Sequence, residues 1–357
     1  PRSVRCPRPE YRVEVRLGDG DDVFVNRAAL HTYAFGGVGS DQLTGAAAAQ
    51  HHFFGEAGDD RLSGSVGPDL FDGGDGNDTL SGGGGADVLT DGAGDDTVVG
   101  GSGDDELRTG VGADDLDGGE GADVVAYEVQ HPAVTVTLDD RRNDGSRDEG
   151  DFVRASSETI RGTSSADTLI GDAGPNTLFG EDGDDRIHGA GGDDLLSGGE
   201  GADVVAGDGG VDDLRGDSGA DVLEGGAGND ELAGGFEADR ISGGPGDDIV
   251  NAAFGDDVVY GGQGDDRIRG FAGTFRFHGG PGDDVIDGYL GDDELWGDDG
   301  NDVINGDDGD DTVHGGAGDD DLQAGGGQQQ RVYGDDGTDT CQGENLVVRT
   351  GCELPGV

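Results

Sequence analysis

One position in this chain is apolar without exception for twenty turns of a nine-residue count. Stepping by nine from Gly162, with a single ten-residue unit at 324–333, the eighth place holds Leu169, Leu178, Ile187, Leu196, Val205, Leu214, Leu223, Leu232, Ile241 and Val250. It then holds Val259, Ile268, Phe277, Ile286, Leu295, Ile304, Val313, Leu322, Val332 and Cys341. Only 31% of the chain is apolar, so an unordered polar tail would have no reason to keep this rhythm. A second block of twelve units, with ten-residue members at 26–35 and 45–54, covers 17–126. The string GGEGADVVA stands at 118–126 and again at 198–206, out of step by nine, so the rhythm breaks and restarts between them.

Within each unit, paired glycines and a third glycine mark a tight turn, where positive φ or close backbone approach is needed. Places seven to nine then suit a very short strand, with the eighth residue inward and its neighbours outward. One inward residue in nine cannot bury a core alone, so the turns must stack. Two units make one coil of 18 residues, with strands on opposite faces. The expectation is an all-β, parallel β-solenoid with a starter strand in 1–16, roll blocks at 17–126 and 162–342, a register-breaking segment at 127–161 and a cap at 343–357.

The sixth place sets the chemistry. In the first block it holds Asp22, Asp41, Asp60, Asp69, Asp78, Asp87, Asp96, Asp105, Asp114 and Asp123. In the second it holds Asp167, Asn176, Asp185, Asp194, Asp203, Asp212, Asp221, Asp230, Asp239, Asp248, Asp257, Asp266, Asp284, Asp293, Asp302, Asp311, Asp320 and Asp339. Strands stack about 4.8 Å apart, so aspartates two units apart would form columns of like charge. Each such pair repels by about 1 kcal/mol in water and about 3 kcal/mol at an effective dielectric of 20. Repeated along the roll, this calls for a bridging cation. Calcium suits best, because it takes six to eight oxygens in a flexible shell, including backbone carbonyls; magnesium is stricter, and there is no Cys/His cluster for zinc.

The whole-chain balance agrees. Asp and Glu number 80 against 21 basic residues, a net charge of −59. That sign is wrong for nucleic acid or an anionic membrane, and no run reaches the roughly 18 apolar residues of a membrane span. Pairs of aspartates two units apart number 22, and as many divalent ions would offset +44 of the −59.

Units such as GGAGNDELA (225–233), GGPGDDIVN (243–251) and GGQGDDRIR (261–269) follow the pattern GGxGxDxUx. The chain therefore resembles the RTX (repeats-in-toxin, haemolysin-type) family of calcium-binding nonapeptide repeats. The resemblance covers most of 17–126 and 162–342. It implies a right-handed parallel β-roll with each ion held between turns i and i+2, by Asp carboxylates of two loops and carbonyls of their glycine-rich positions. On that pattern Asp203 pairs with Asp185 and Asp221, Asp230 with Asp212 and Asp248, and about 20 calcium ions bind in all.

Several stretches depart from the pattern. Units 26–35, 45–54, 270–278 and 324–333 lack the sixth-place Asp, and Asn176 replaces it in 171–179, so those sites should be weak or empty. Around Phe275, aromatic residues recur in successive turns at Phe236, Phe254, Phe271 and Tyr289. They should stack as an apolar strip, either a plug in place of a lost ion or a docking surface for a partner or a second copy. In 127–161, VTVTL (134–138) alternates like a strand and Ile160 restores an inward position. Asp140, Asp144, Gly145 and Asp151 loosely resemble an EF-hand loop, but Arg142 stands where a ligand should be.

Cys341, at an inward place, lies eleven residues before Cys352, which predicts a disulfide and an oxidising compartment; Cys6 is left over. The histidines read as surface decoration, and no nucleophile, base and orienter come together, so the chain does not read as an enzyme. The N-terminus, Pro1 rather than Met, reads as trimmed or processed. The sum of these readings is a secreted calcium-binding β-roll that folds on the ion, structural in use and able to stack end to end. The rivals are the repeat module of a larger secreted enzyme (protease, lipase or epimerase) and a calcium-dependent adhesin.

Overall fold

The computed structural model describes residues 13–28, 30–45, 49–127, 132–147, 149–343 and 346–353. They form two compact units, Pro1–Ser165 and Ala166–Val357. Among the described residues there is no helix, and nearly every strand pairing is parallel. Cys6 lies outside the described residues.

In the second unit each strand pairs with the one 18 residues on. Leu178 is opposite Leu196, Leu196 opposite Leu214 and Leu214 opposite Leu232 on one face. Ile187 is opposite Val205, and Val205 opposite Leu223, on the other. All twenty eighth-place residues are buried, forming two facing apolar ladders. Between them they bury a Leu-, Ile- or Val-sized side chain every half coil, each contributing about 1.5–3 kcal/mol. The ten-residue unit is absorbed as a 19-residue step, Val313 opposite Val332, without losing the ladder. Leu346–Thr350 adds to Gln330–Asp336, and Cys352–Glu353 to Asp339–Gln342, closing that end. Cys341 and Cys352 are joined by a disulfide, their Cα atoms 5.6 Å apart.

The first unit repeats the design. Val13–Asp19 starts one face and pairs with Thr32–Val38, which pairs with His51–Ala57, at 19-residue steps that reflect the two ten-residue units. From Phe53 opposite Phe71 to Leu107 opposite Val125 the step is 18. Seven strands make the other face, from Val23–Val25 to Phe152–Val153.

The segment at 127–161 is partly an excursion and partly roll. Val134–Thr137 pairs antiparallel with Gly145–Ser146. Val153 then stacks on Leu116 and Ile160 on Val125, so Asp151–Val153 and Glu158–Arg161 already carry the roll's register. Asp144 accepts the N–H groups of Thr137 and Val153, and Arg142 pairs with Asp115 at 2.8 Å. The Asp144 carboxylate thus braces the loop's own backbone, in place of an EF-hand geometry.

Candidate metal-binding row

The turns are built from glycines with distinct duties. Gly199 and Gly201 hold φ of 111° and 146°, a region closed to most side chains. Gly198 has ordinary φ but no space: a Cβ there would overlap the Oδ2 of Asp203. At Gly180 a Cβ would overlap Asp185 Oδ2 and lie 2.6 Å from the Gly198 carbonyl oxygen, one coil further on. The first-place glycine therefore faces a carboxylate oxygen and a carbonyl oxygen that converge on it.

The carboxylate is held there by a bond to the preceding coil. Asp185 Oδ1 accepts the N–H of Asp167 at 2.7 Å, Asp203 that of Asp185 at 2.8 Å, and Asp221 that of Asp203 at 2.8 Å. The same link joins Asp212, Asp230, Asp248, Asp266, Asp284, Asp302 and Asp320 in succession. In the first unit it joins Asp60, Asp78, Asp96 and Asp114, and separately Asp69, Asp87, Asp105 and Asp123. Of the predicted positions, Asp22 is half-buried on the first coil and all the others, Asn176 included, are buried.

The second oxygen is the informative one. Oδ2 of Asp41, Asp60, Asp78, Asp87, Asp96, Asp105 and Asp123, and of sixteen aspartates between Asp185 and Asp339, is buried and accepts no hydrogen bond. Leaving buried polar atoms unpaired costs about 1–3 kcal/mol each, more if charged. Burial pushes Asp78, Asp96, Asp185, Asp266, Asp284 and Asp302 up to about 7, against the opposing pull of the backbone N–H and with a further push from neighbouring aspartates. Asp60, Asp105, Asp221 and Asp248 rise to about 6 for the same leading reason. Without a counter-charge, burial disfavours the ionised form of these groups. A hard cation fits the set, because the orphan atoms are carboxylate oxygens and most of them stand beside a backbone carbonyl oxygen of the next coil.

The irregular units fill the same slot with other side chains. The ring of His51 lies where the carboxylate would be, against Gly45, and the backbone N–H of His51 donates to Asp69 Oδ1 at 2.6 Å. His51 is therefore buried, correcting the reading of the histidines as surface groups: the extra residue of unit 45–54 moves the ring into the slot. His278 and His314 also have a structural place, stacking with Tyr260, Trp296 and Tyr333 in one column along the ninth positions. Phe275 fills its slot with a buried ring against Gly270, and Gln330 accepts the Asp311 N–H at 3.0 Å. Among the aromatic residues of the nearby turns, Phe236 stacks on Phe254 at 5.4 Å and Phe254 meets Phe271 edge-on at 4.8 Å. Phe236, Phe254, Phe271 and Tyr289 remain 40–55% exposed, so the apolar strip is present on the surface.

Sequence reasoning missed three acidic members. Asp151 and Glu158 accept the N–H groups of Asp114 and Asp123, at 3.0 and 3.1 Å, so the carboxylate columns run on through the register break. The signal was readable, since Asp151-Phe152-Val153 has the D-x-U order of a repeat. The third, Asp91, stands at a first place, where the pattern has glycine.

Stacked 18-residue coils, two apolar ladders and inward rows of aspartate define a parallel β-roll of the metal-binding kind. The RTX calcium-binding nonapeptide repeat matches residues 54–89, 90–125, 161–196, 188–223, 207–241, 224–259, 252–274, 276–304 and 296–328. These matches span more than half of the sequence, and the chain belongs to that family. No curated protein matches it. Among the described residues no helix is long and apolar enough to cross a membrane.

Proposed function

We propose that this chain is a secreted β-roll whose folding is coupled to calcium, with the sixth-place aspartates and Asn176 as side-chain ligands and about 20 ions bound at saturation. The supporting observation is the row of buried Oδ2 atoms without hydrogen bonds, all but those of Asp96 and Asp257 in units that open on a first-place glycine. Bound calcium supplies the positive charge that lets neighbouring carboxylates ionise together. The polypeptide does the rest: backbone N–H groups fix each Oδ1, glycines leave the space, and the apolar ladders set the spacing. Extracellular calcium modules bind at about 10⁻⁴–10⁻³ M, so the chain would stay unfolded in a calcium-poor cytosol and fold outside. The Cys341–Cys352 disulfide favours the same compartment.

The role that follows is structural and non-enzymatic, because the carboxylates line up in rows facing glycines rather than converging in a cleft. A surface or matrix component suits a chain of this charge. Self-association has support in the exposed strip of Phe236, Phe254, Phe271 and Tyr289. The test is a calcium titration followed by circular dichroism and small-angle scattering. An expanded, disordered chain in chelator should become compact and β-rich at millimolar calcium; a chain that stays compact and β-rich after exhaustive chelation overturns the reading.

A further inference from the structure

Three successive coils of the first unit abandon the first-place glycine on the same edge. Asp91, Thr109 and Tyr127 stand 18 residues apart, each beside the carboxylate row. Two of them carry a hydroxyl and use it. Thr109 Oγ1 donates to Asp114 Oδ2 at 2.9 Å, and the Tyr127 hydroxyl donates to Asp151 Oδ2 at 3.1 Å. At those two levels a protein proton meets the second carboxylate oxygen, which in Asp41, Asp60, Asp78 and Asp96 on the same edge has no hydrogen bond.

Asp91 is different, because an ionised carboxylate has nothing to donate. Its Oδ1 accepts two backbone N–H groups, from Gly92 at 2.6 Å and Gly110 at 2.8 Å. Its Oδ2 is buried and has no hydrogen bond, as is true of Asp96 Oδ2. All three side chains are buried, and Asp91, Asp96 and Asp114 each bring a carboxylate oxygen to within 4.8 Å of the other two.

We propose that Asp91, Asp96 and Asp114 form a three-carboxylate cation site that fills with calcium before the two-carboxylate positions of the roll. The inference rests on the calcium reading above, and adds Asp91 as a ligand that the repeat pattern does not provide. Affinity in oxygen-ligand calcium sites rises with the number of charged ligands and with the rigidity of the site. Asp91 adds one negative charge, and its two N–H bonds fix it in place. A coil ion-loaded ahead of the others would give the stacking of its neighbours a place to start.

The test is equilibrium dialysis of the full chain against radioactive calcium over graded free concentrations, for the wild type, Asp91→Asn and Asp91→Gly. The glycine variant restores the repeat pattern and the asparagine variant keeps the shape, so both should fold when calcium-loaded. The wild type should take up its first equivalent at a free calcium about tenfold or more below the midpoint of the remainder. Both variants should lose that early equivalent and keep the main phase. Crystals soaked in a limiting lanthanide should show the matching anomalous peak at Asp91, absent in Asp91→Gly, with peaks between Asp185 and Asp203 unchanged. Variants that fill as the wild type does would mean that Asp91 holds a proton and no metal, which overturns this proposal alone. Wild-type chain that binds calcium in neither phase overturns the calcium reading with it.

Discussion

Replacing Phe275 by aspartate asks whether the slot or the sequence around it binds the ion. The native ring is buried, packed against Phe277 with centroids 4.9 Å apart, and its backbone N–H donates to Asp293 Oδ1 at 2.8 Å. Removing a buried phenylalanine side chain costs about 3–5 kcal/mol. The new carboxylate would sit one coil from Asp257 on one side and Asp293 on the other. At about 4.8 Å each contact repels by about 3 kcal/mol at an effective dielectric of 20. In chelator, then, Phe275→Asp loses on the order of 10 kcal/mol, comparable to the whole net stability of a typical domain.

With calcium the sign reverses at this level of the roll. Two new carboxylate pairs arise, one with Asp257 and one with Asp293, so saturation should take two more ions than the wild type. The measurement is calcium stoichiometry by equilibrium dialysis, with the calcium midpoint of the β signal followed by circular dichroism. The midpoint should move to higher calcium while the count rises. Phe275→Leu is the control, losing ring volume with no gain in ions. An unchanged count for Phe275→Asp, in a variant that folds as fully as the wild type at saturating calcium, would refute the idea that the sixth-place slot holds the ion.

Three further outcomes follow from the same geometry. In metal-free buffer the chain should gain β structure as pH falls from 8 to 5: the folded-state carboxyls are raised from 3.8 to about 6 or 7, so their protonation stabilises the roll at low pH and that stability is lost as pH rises through those values, as circular dichroism across the range would show. Gly198→Ala should raise the calcium midpoint and lower the thermal midpoint because its methyl overlaps Asp203 Oδ2, whereas Gly191→Ala, whose Cβ would meet nothing closer than 3.6 Å, should leave calcium binding unchanged. Leu214→Ala, deep in a ladder, should cost about 2–5 kcal/mol of calcium-loaded stability, read from denaturant unfolding, without changing the number of ions.

Most of the roll was legible because its two working residues recur on one period. An apolar eighth place and an acidic sixth place, two residues apart, point to the same inward side of a strand and its turn, and the structure buries both. What stayed hidden was whatever leaves that period while keeping the space. His51 and Gln330 enter the slot through units one residue too long, so a strict count misses them. Asp151 takes up the row again 37 residues after Asp114, beyond a loop of a length no repeat predicts. Asp91 was hidden for a different reason. At the first place the pattern records only glycine, and glycine alone does not say whether it is kept for its φ or for the space beside it. The contact of Gly198 with Asp203 shows that it is the space, and the same space explains why Thr109, Tyr127 and Asp91 all reach a carboxylate from that place. A side chain at a first-place position therefore bears on the slot next to it: the hydroxyls of Thr109 and Tyr127 donate a hydrogen bond to the second carboxylate oxygen, and the carboxylate of Asp91 adds negative charge beside Asp96 and Asp114.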